Sequence, residues 1–194
     1  MPNKSTLPTD IVEHPRYGKR VRPGRRDVSE SVVRSSYRGY RNAMIYPEST
    51  INATVSEQNL GPMESRSFYV DILETCRDCQ RPFLFFAVEQ KYWYETLKFH
   101  IDAECTRCAE CRKEIQHDRK VFAAFSRLVV QTTFTDEQLS ILAENAIVLW
   151  RQGRIKNLHT LNRIKNLVLR QIPNSEVASE ILELTKLKNI ESAE

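Results

Sequence analysis

Cys76-Arg77-Asp78-Cys79, followed downstream by Cys108-Ala109-Glu110-Cys111, decides the fold of this 194-residue chain. A Cys-x-x-Cys turn lets two sulfurs approach one ion, and two such turns complete the tetrahedral shell of four thiolates that structural zinc prefers. We therefore predict one structural Zn²⁺ ion held by Cys76, Cys79, Cys108 and Cys111. Because four protein ligands leave no open position for water, we expect this metal to stabilise the fold and not to catalyse.

Cys105 leaves the ligand set open at this point. Cys105, Cys108 and Cys111 follow one another at intervals of three, so Cys105 and Cys108 could supply the second pair. The basic residues Arg112 and Lys113 favour the later pair, because cations near thiolates offset the negative charge of the centre. In that case Cys105 is a small packed or partly exposed thiol. A redox dithiol and unrelated free cysteines are the other interpretations of the cysteines.

The composition favours a chain without a membrane segment. The first ten residues are polar and lack the apolar region of a signal peptide. No apolar run reaches the roughly 18 residues that a membrane span needs. Five cysteines, four of them in close pairs, are typical of metal binding in a reducing compartment. We therefore expect a cytoplasmic protein with no membrane partner.

The net charge of +4 is distributed unevenly. Residues 1–41 hold ten Lys and Arg against four Asp and Glu, whereas residues 42–75 hold one against five. Such a basic arm predicts a polyanionic partner, RNA or DNA. The alternatives are a solvated tail and an arm that packs on its own protein. The candidate nucleic-acid-binding residues of the arm are Arg16, Lys19, Arg20, Arg22, Arg25 and Arg26.

The periodicity predicts a small α+β module around the cysteines. Residues 68–73 alternate as a strand, and residues 82–87 predict a second strand, which places the first cysteine pair at the turn of a hairpin. Residues 89–99 have helical periodicity. The second pair is expected to open another helix, and Asp118 to cap a separate helical stretch.

The last sixty residues predict an all-α region. Thr135 and Gln138 form a capping box, in which each side chain bonds the backbone of the other residue. Three amphipathic helices follow, typical of a small bundle or a dimerising appendage. The second helix carries a basic stripe of candidate nucleic-acid-binding residues, Lys156, Arg163 and Arg170. We predict three domains: a basic, largely irregular arm (1–66), a zinc module with its following helix (67–130) and a three-helix region (131–194).

Three blocks of this sequence carry a resemblance to a known family. Residues 76–83, residues 89–95 (Glu-Gln-Lys-Tyr-Trp-Tyr-Glu) and residues 107–112 resemble the probable zinc-ribbon (treble-clef type) domain of bacterial proteins of uncharacterised function. The resemblance implies that the four cysteines of the two pairs are the ligands, and it implies no established activity. The chain departs from the pattern at Gln80, where glycine is usual. A left-handed backbone there costs a non-glycine residue roughly 1–2 kcal/mol.

The leading functional hypothesis is a non-enzymatic zinc module that binds nucleic acid or a ribonucleoprotein. A protein-interaction adaptor is the alternative, in which Tyr92, Trp93 and Tyr94 form an interface and the helical tail docks or dimerises. A zinc-braced nuclease is the least favoured, because such a site needs several histidines near the cysteine pairs. Only His100 and His117 lie there.

Overall fold

The computed structural model describes residues 7–24, 28–60 and 64–191, with side chains as far as Lys186. The chain divides into two compact units, residues 1–114 and residues 115–194. The predicted fold class is confirmed: a three-stranded antiparallel sheet with short helices, followed by a helical C-terminal region. The three predicted domains stay a prediction, although the range 1–66 lies inside the first unit and contributes a strand to its sheet.

The sheet of the first unit has the order β1-β2-β3, with β1 at Met44–Asn52, β2 at Phe68–Thr75 and β3 at Pro82–Phe85. The β2–β3 hairpin is the predicted one. The sequence predicts no strand at β1, because Pro47 and the polar Ser49 and Thr50 interrupt its pattern. There the pairing of β1 with β2 shifts register, and Ser49 Oγ accepts a hydrogen bond from the Asp71 backbone at 2.7 Å. The serine hydroxyl thereby satisfies a backbone donor that regular pairing would have bonded.

The N-terminal segment lies along this sheet. Val12 forms a parallel bridge with Phe83, and its N–H donates to the Pro82 carbonyl at 2.8 Å. At the other end, Gly24 N–H donates to the Glu48 carbonyl at 2.7 Å. A Cβ on Gly24 would lie 2.2 Å from the Thr50 carbonyl oxygen, so only glycine permits this approach. Of the alternatives for the arm, packing on its own protein therefore describes the backbone of residues 7–24.

Short helical segments accompany the sheet of the first unit. Helix α1 spans Glu30–Ser35. Helix α2 spans Ala87–Lys91 and continues as one π-helical turn at Tyr92–Thr96. It begins two residues before the range predicted to be helical, 89–99, and includes Ala87, which was predicted to end the second strand. Gln90 ties α2 to the sheet, because its amide donates to the Val70 and Phe85 carbonyls at 2.6 and 2.9 Å. Short 3-10 turns lie at Arg38–Tyr40 and Val55–Glu57.

Helix α3, Ala109–Leu128, begins at the second cysteine pair as predicted. The expectation of a separate helix capped by Asp118 is wrong. The range contains no glycine or proline that would break it, so one helix runs through. Asp118 lies in its interior, and its carboxylate accepts from Gln152 Nε2 at 3.1 Å.

The second unit packs α4 (Asp136–Arg151), α5 (Leu158–Gln171) and α6 (Glu176–Glu191) with the C-terminal half of α3. The capping box at Thr135 is confirmed: Gln138 N–H donates to Thr135 Oγ1 at 3.2 Å, and Thr135 N–H donates to Gln138 Oε1 at 3.0 Å. The core is apolar, and its fully buried members include Leu139, Leu142, Leu149, Leu161, Ile164 and Ile181.

Candidate metal centre

Two turns bring the four predicted ligands together. The first connects β2 to β3, where Cys76 N–H donates to the Arg81 carbonyl at 2.9 Å and Gln80 N–H donates to the Cys76 carbonyl at 2.9 Å. The second leads into the first turn of α3, where Arg112 N–H donates to the Cys108 carbonyl at 3.0 Å. The Arg77 N–H donates to the Thr106 carbonyl at 2.9 Å and so joins the two turns.

The sulfurs fit one tetrahedral zinc ion. The four Sγ atoms of Cys76, Cys79, Cys108 and Cys111 all lie within 4.8 Å of one another, and Cys79 Sγ is 3.9 Å from Cys108 Sγ. A zinc–sulfur bond of ~2.3 Å in a tetrahedron places sulfurs ~3.8 Å apart. The cysteines are free thiols, three of them buried and Cys79 half-buried. The predicted cofactor, one Zn²⁺ ion, is therefore confirmed by the donor set.

In the absence of metal, the surroundings of the sulfurs shift the pKa values of Cys76 and Cys111 in opposite directions. Burial opposes ionisation of Cys76, but the backbone groups of Cys108, Cys79 and Asp78 hydrogen-bond its thiolate and lower its pKa to about 6. Burial raises the pKa of Cys111, and so do the hydrogen bonds that its thiol donates to the neighbouring sulfurs. Zinc binds thiolates, so metal uptake has to release protons from this cluster.

Cys105 is not part of the cluster. Its thiol donates to the Arg107 carbonyl at 3.4 Å, and burial raises its pKa to about 12. An uncharged thiol packed in this way corresponds to the alternative in which Cys105 is a small buried residue. The structure therefore favours the later pair, Cys108 and Cys111, as the second pair of ligands.

The cation at the ligands is Arg81, which the sequence analysis did not select. Its guanidinium pairs with the Glu110 carboxylate, and the nearby Cys79 sulfur together with that carboxylate raises the pKa of Arg81. Arg112, expected to offset the thiolate charge, instead donates to Glu89 Oε1 at 2.6 Å. Asp78 and Arg107 form a second ion pair between the turns, at 2.7 Å. Only the fold reveals these pairs, since their partners lie on opposite turns.

The backbone of Gln80 is left-handed, with φ of 59°. The chain therefore keeps the turn that glycine usually makes, with the strain that a side chain adds there. The amide of Gln80 donates to the Arg77 carbonyl at 2.8 Å and offsets part of that strain.

The block at residues 89–95 joins the N-terminal segment to the zinc module. Glu89 is buried and lies 3.4 Å from His14 Nε2 in addition to its contact with Arg112. Because His14 Nδ1 accepts from the Arg16 and Tyr17 backbone at 3.2 Å, its proton is on Nε2 and faces Glu89. Arg112 also lies 5.0 Å from the Trp93 ring centroid. The signal in the sequence was the unusual aromatic and charged block itself.

Residues 70–120 match the family model described as a probable treble clef domain. This confirms the resemblance over the two cysteine pairs and α3 as far as residue 120, and leaves both flanking regions unassigned. No curated protein and no solved structure matches the chain. Among the described residues, none of the helices has the length and apolar character that crossing a membrane requires.

The predicted nucleic-acid-binding residues fall into two groups. Arg16, Lys19, Arg20 and Arg22 are exposed in the first unit, and Lys156, Arg163 and Arg170 are exposed in the second. Arg25 and Arg26 lie outside the described residues. Arg163 donates to the Val129 carbonyl, and with Arg170 it lines a shallow recess on α5 of about 370 Å³.

Proposed function

We propose that this protein is a non-enzymatic zinc module that binds nucleic acid through the basic loop, defined as residues 16–22. The observation that carries the proposal is that its four cations, Arg16, Lys19, Arg20 and Arg22, are all exposed. Among the described residues, none of these four side chains forms an ion pair with a carboxylate. Phosphate groups are the natural counter-ions of such a cluster.

Basic residues that follow the loop have structural partners, which sets the loop apart. Arg34 donates to the Tyr40 carbonyl at 2.6 Å and to the Arg41 and Ala43 carbonyls at 3.1 Å. Arg38 pairs with the Asp102 carboxylate at 2.7 Å. These two arginines stabilise the first unit, so they are less available to a partner than the four exposed cations of the basic loop.

The backbone of the loop is fixed before any partner binds. His14 and Gly18 exchange backbone hydrogen bonds of 2.8 Å, with Gly18 at φ of 79°. Arg22 N–H donates to the Asp71 carboxylate at 3.0 Å, and Tyr17 stacks on His14 with ring centroids 4.6 Å apart. A pre-organised loop loses less conformational entropy on binding, which supports its use as a recognition surface. Tyr17 is half-buried and offers an aromatic ring beside the cations.

Salt-dependent binding to RNA and to DNA tests the proposal. Changing Arg16, Lys19, Arg20 and Arg22 together to Gln removes four phosphate contacts. The slope of log affinity against log salt should then become shallower by roughly 3, at ~0.7–0.9 per contact. The matched control changes four exposed cations of α3 to Gln: Lys113, Arg119, Lys120 and Arg127. Equal losses in both variants would contradict a specific role of the basic loop.

The basic residues Lys156, Arg163 and Arg170 are a second proposed contact, in the other unit. Their prediction as a stripe on one helix is wrong for Lys156, because Arg163 and Arg170 lie on α5 and Lys156 precedes its N-cap, Asn157. Substituting Lys156 and Arg170 with Gln tests this contact separately from the basic loop. Arg163 is left in place because it donates to a backbone carbonyl of its own unit.

The absence of enzymatic activity is part of the same proposal. Four thiolates close the zinc shell, so the ion has no position for a water nucleophile. Of the two histidines near the pairs, His100 Nδ1 accepts from the Asp102 backbone at 3.3 Å, and His117 is exposed on α3. Neither is placed at the sulfurs by a contact that the structure shows. The free thiols also suit a reducing, cytoplasmic setting.

A protein-interaction adaptor is the second candidate, and exposed apolar side chains favour it. Tyr92, Leu97 and Phe99 expose 43, 42 and 42% of their surface, whereas Tyr94 is buried and Trp93 half-buried. Capture of partners from a native lysate, with and without nuclease treatment, separates the candidates. Partners that survive nuclease treatment and are lost in a Tyr92→Ser, Phe99→Ser variant would support the adaptor.

A further inference from the structure

Arg66 places an uncompensated positive charge inside the first unit. The residue is 4% exposed, and its Nη2 donates to the Ile101 carbonyl at 2.6 Å. Its Cζ lies 3.8 Å from the Tyr37 ring centroid and 4.5 Å from that of Tyr94. Among the described residues no carboxylate pairs with it, and its Nε has no hydrogen-bond partner. Aromatic faces compensate a buried guanidinium only in part, so the site favours an anion.

Arg66 lines a cavity of about 360 Å³. Its walls include the rings of Tyr37, Tyr40 and Tyr94 and the buried Cys105. A volume of this order is at the lower end of the range of small-molecule sites, and apolar walls with a few polar groups are typical of them. Cys105 thus lies in the wall of this cavity, which accounts for its burial without a role as a metal ligand.

The exposed lining residues carry mainly the opposite charge. Glu74 and Glu104 lie there together with a single cation, Arg77. A ligand in the cavity therefore meets a buried cation at one side and a net negative charge at the surface. Dianions are disfavoured by the two carboxylates, and simple cations are disfavoured by Arg66.

We propose that this cavity binds a small zwitterion of the size of a free α-amino acid, with its carboxylate at Arg66 and its ammonium group at Glu74 and Glu104. The tyrosine rings contact the carbon skeleton and allow an apolar or aromatic side chain. The site does not depend on the basic loop, so the proposal stands independently of nucleic-acid binding.

Calorimetric titration of the zinc-loaded full-length chain with the twenty common L-α-amino acids tests the ligand class. At least one should bind, and two analogues of the best one identify the groups recognised. Its decarboxylated amine should bind about 10- to 150-fold more weakly, the range for a hydrogen bond to a buried charge. Its deaminated acid should bind about two- to fivefold more weakly, as expected from the loss of an exposed ion pair. Failure of all twenty to bind, or equal binding of the acid, overturns the proposal.

Two substitutions test the residues. Arg66→Gln should abolish binding while the zinc content stays unchanged, and undiminished binding by this variant would overturn the proposal. Because Arg66 is buried, that variant could fail to fold, and Glu104→Gln then decides. This substitution of an exposed residue should weaken binding of the amino acid about two- to fivefold and leave binding of the deaminated acid unchanged. Its matched control is the exposed Glu13→Gln, and equal affinities of these two variants would refute the placement of the ammonium group.

Discussion

Removal of zinc should unfold the first unit and leave the second unit folded. Three ligands belong to the core of the first unit, and Cys79 packs against it. Cys76 and Cys108 are fully buried in the cluster that contains Val70, Phe83 and Phe85. A structural zinc ion contributes on the order of 10–16 kcal/mol of apparent binding free energy. A whole domain has a net stability of only about 5–15 kcal/mol. The free energy lost with the metal is therefore comparable to the entire folding free energy of the unit.

The core of the second unit contains no cysteine among its described residues. Its stability comes from apolar helix packing. Helix α3 carries Cys111 in its first turn and supplies Val121, Phe125 and Leu128 to this core, but those three residues are held by the packing of the other helices and not by the metal. The expected result is two separate transitions, one that depends on zinc and one that does not.

The two tryptophans of the chain report the two units separately. Trp93 lies in the first unit with its ring centroid 5.0 Å from that of Phe85, and Trp150 packs against the core of the second unit. In a Trp150→Phe variant, a zinc chelator should shift the remaining emission to the red as Trp93 becomes exposed. In a Trp93→Phe variant, the same chelator should leave the emission of Trp150 unchanged.

Added zinc should reverse the shift, and chelator already saturated with zinc is the control. If Trp93 emission stays constant after the metal is removed, the cysteines do not hold the first unit together. If both emissions shift together, the two units do not fold independently.

Three further changes test separate parts of the structure. Gln80→Gly should raise the stability of the zinc-loaded first unit by about 1 kcal/mol, because glycine adopts the left-handed turn without strain. Gln80→Ala should lower this stability, because it keeps the strain and loses the side-chain hydrogen bond, and the thermal midpoints of the two variants are compared. Thr135→Ala should cost the second unit ~1 kcal/mol in urea unfolding followed at Trp150, with the zinc content unchanged. Zinc affinity should fall by about tenfold per pH unit for each proton released as the pH is lowered, because burial raises the pKa of Cys111 and zinc uptake releases protons. Competition with a chelator measures the affinity, and an affinity independent of pH would refute the coupling.

The metal ligands could be predicted from the sequence because their chemistry is local. Two residues between paired cysteines already determine that both sulfurs face one ion, and the residues after each pair predicted a strand and a helix. The capping box at Thr135 was equally local, since its partners are three residues apart.

Features that depend on contacts between distant segments were not predicted. Strand β1 was not predicted because its alternation is broken from Pro47 onward, and the Ser49 hydroxyl replaces regular backbone pairing there. The ion pair of Arg81 with Glu110 joins two turns that meet only around the metal. Arg66 looks like an ordinary surface residue in the sequence, and only the tyrosines packed around it show that its charge is buried.

The most direct test of the central claim is the zinc content of the purified chain, measured by mass spectrometry of the metal. We predict one zinc ion per chain in the wild type and in Cys105→Ala, and loss of the metal in Cys79→Ser and Cys111→Ser. A Cys105→Ala variant without zinc, or a Cys111→Ser variant that keeps it, would contradict the assignment of the centre to Cys76, Cys79, Cys108 and Cys111.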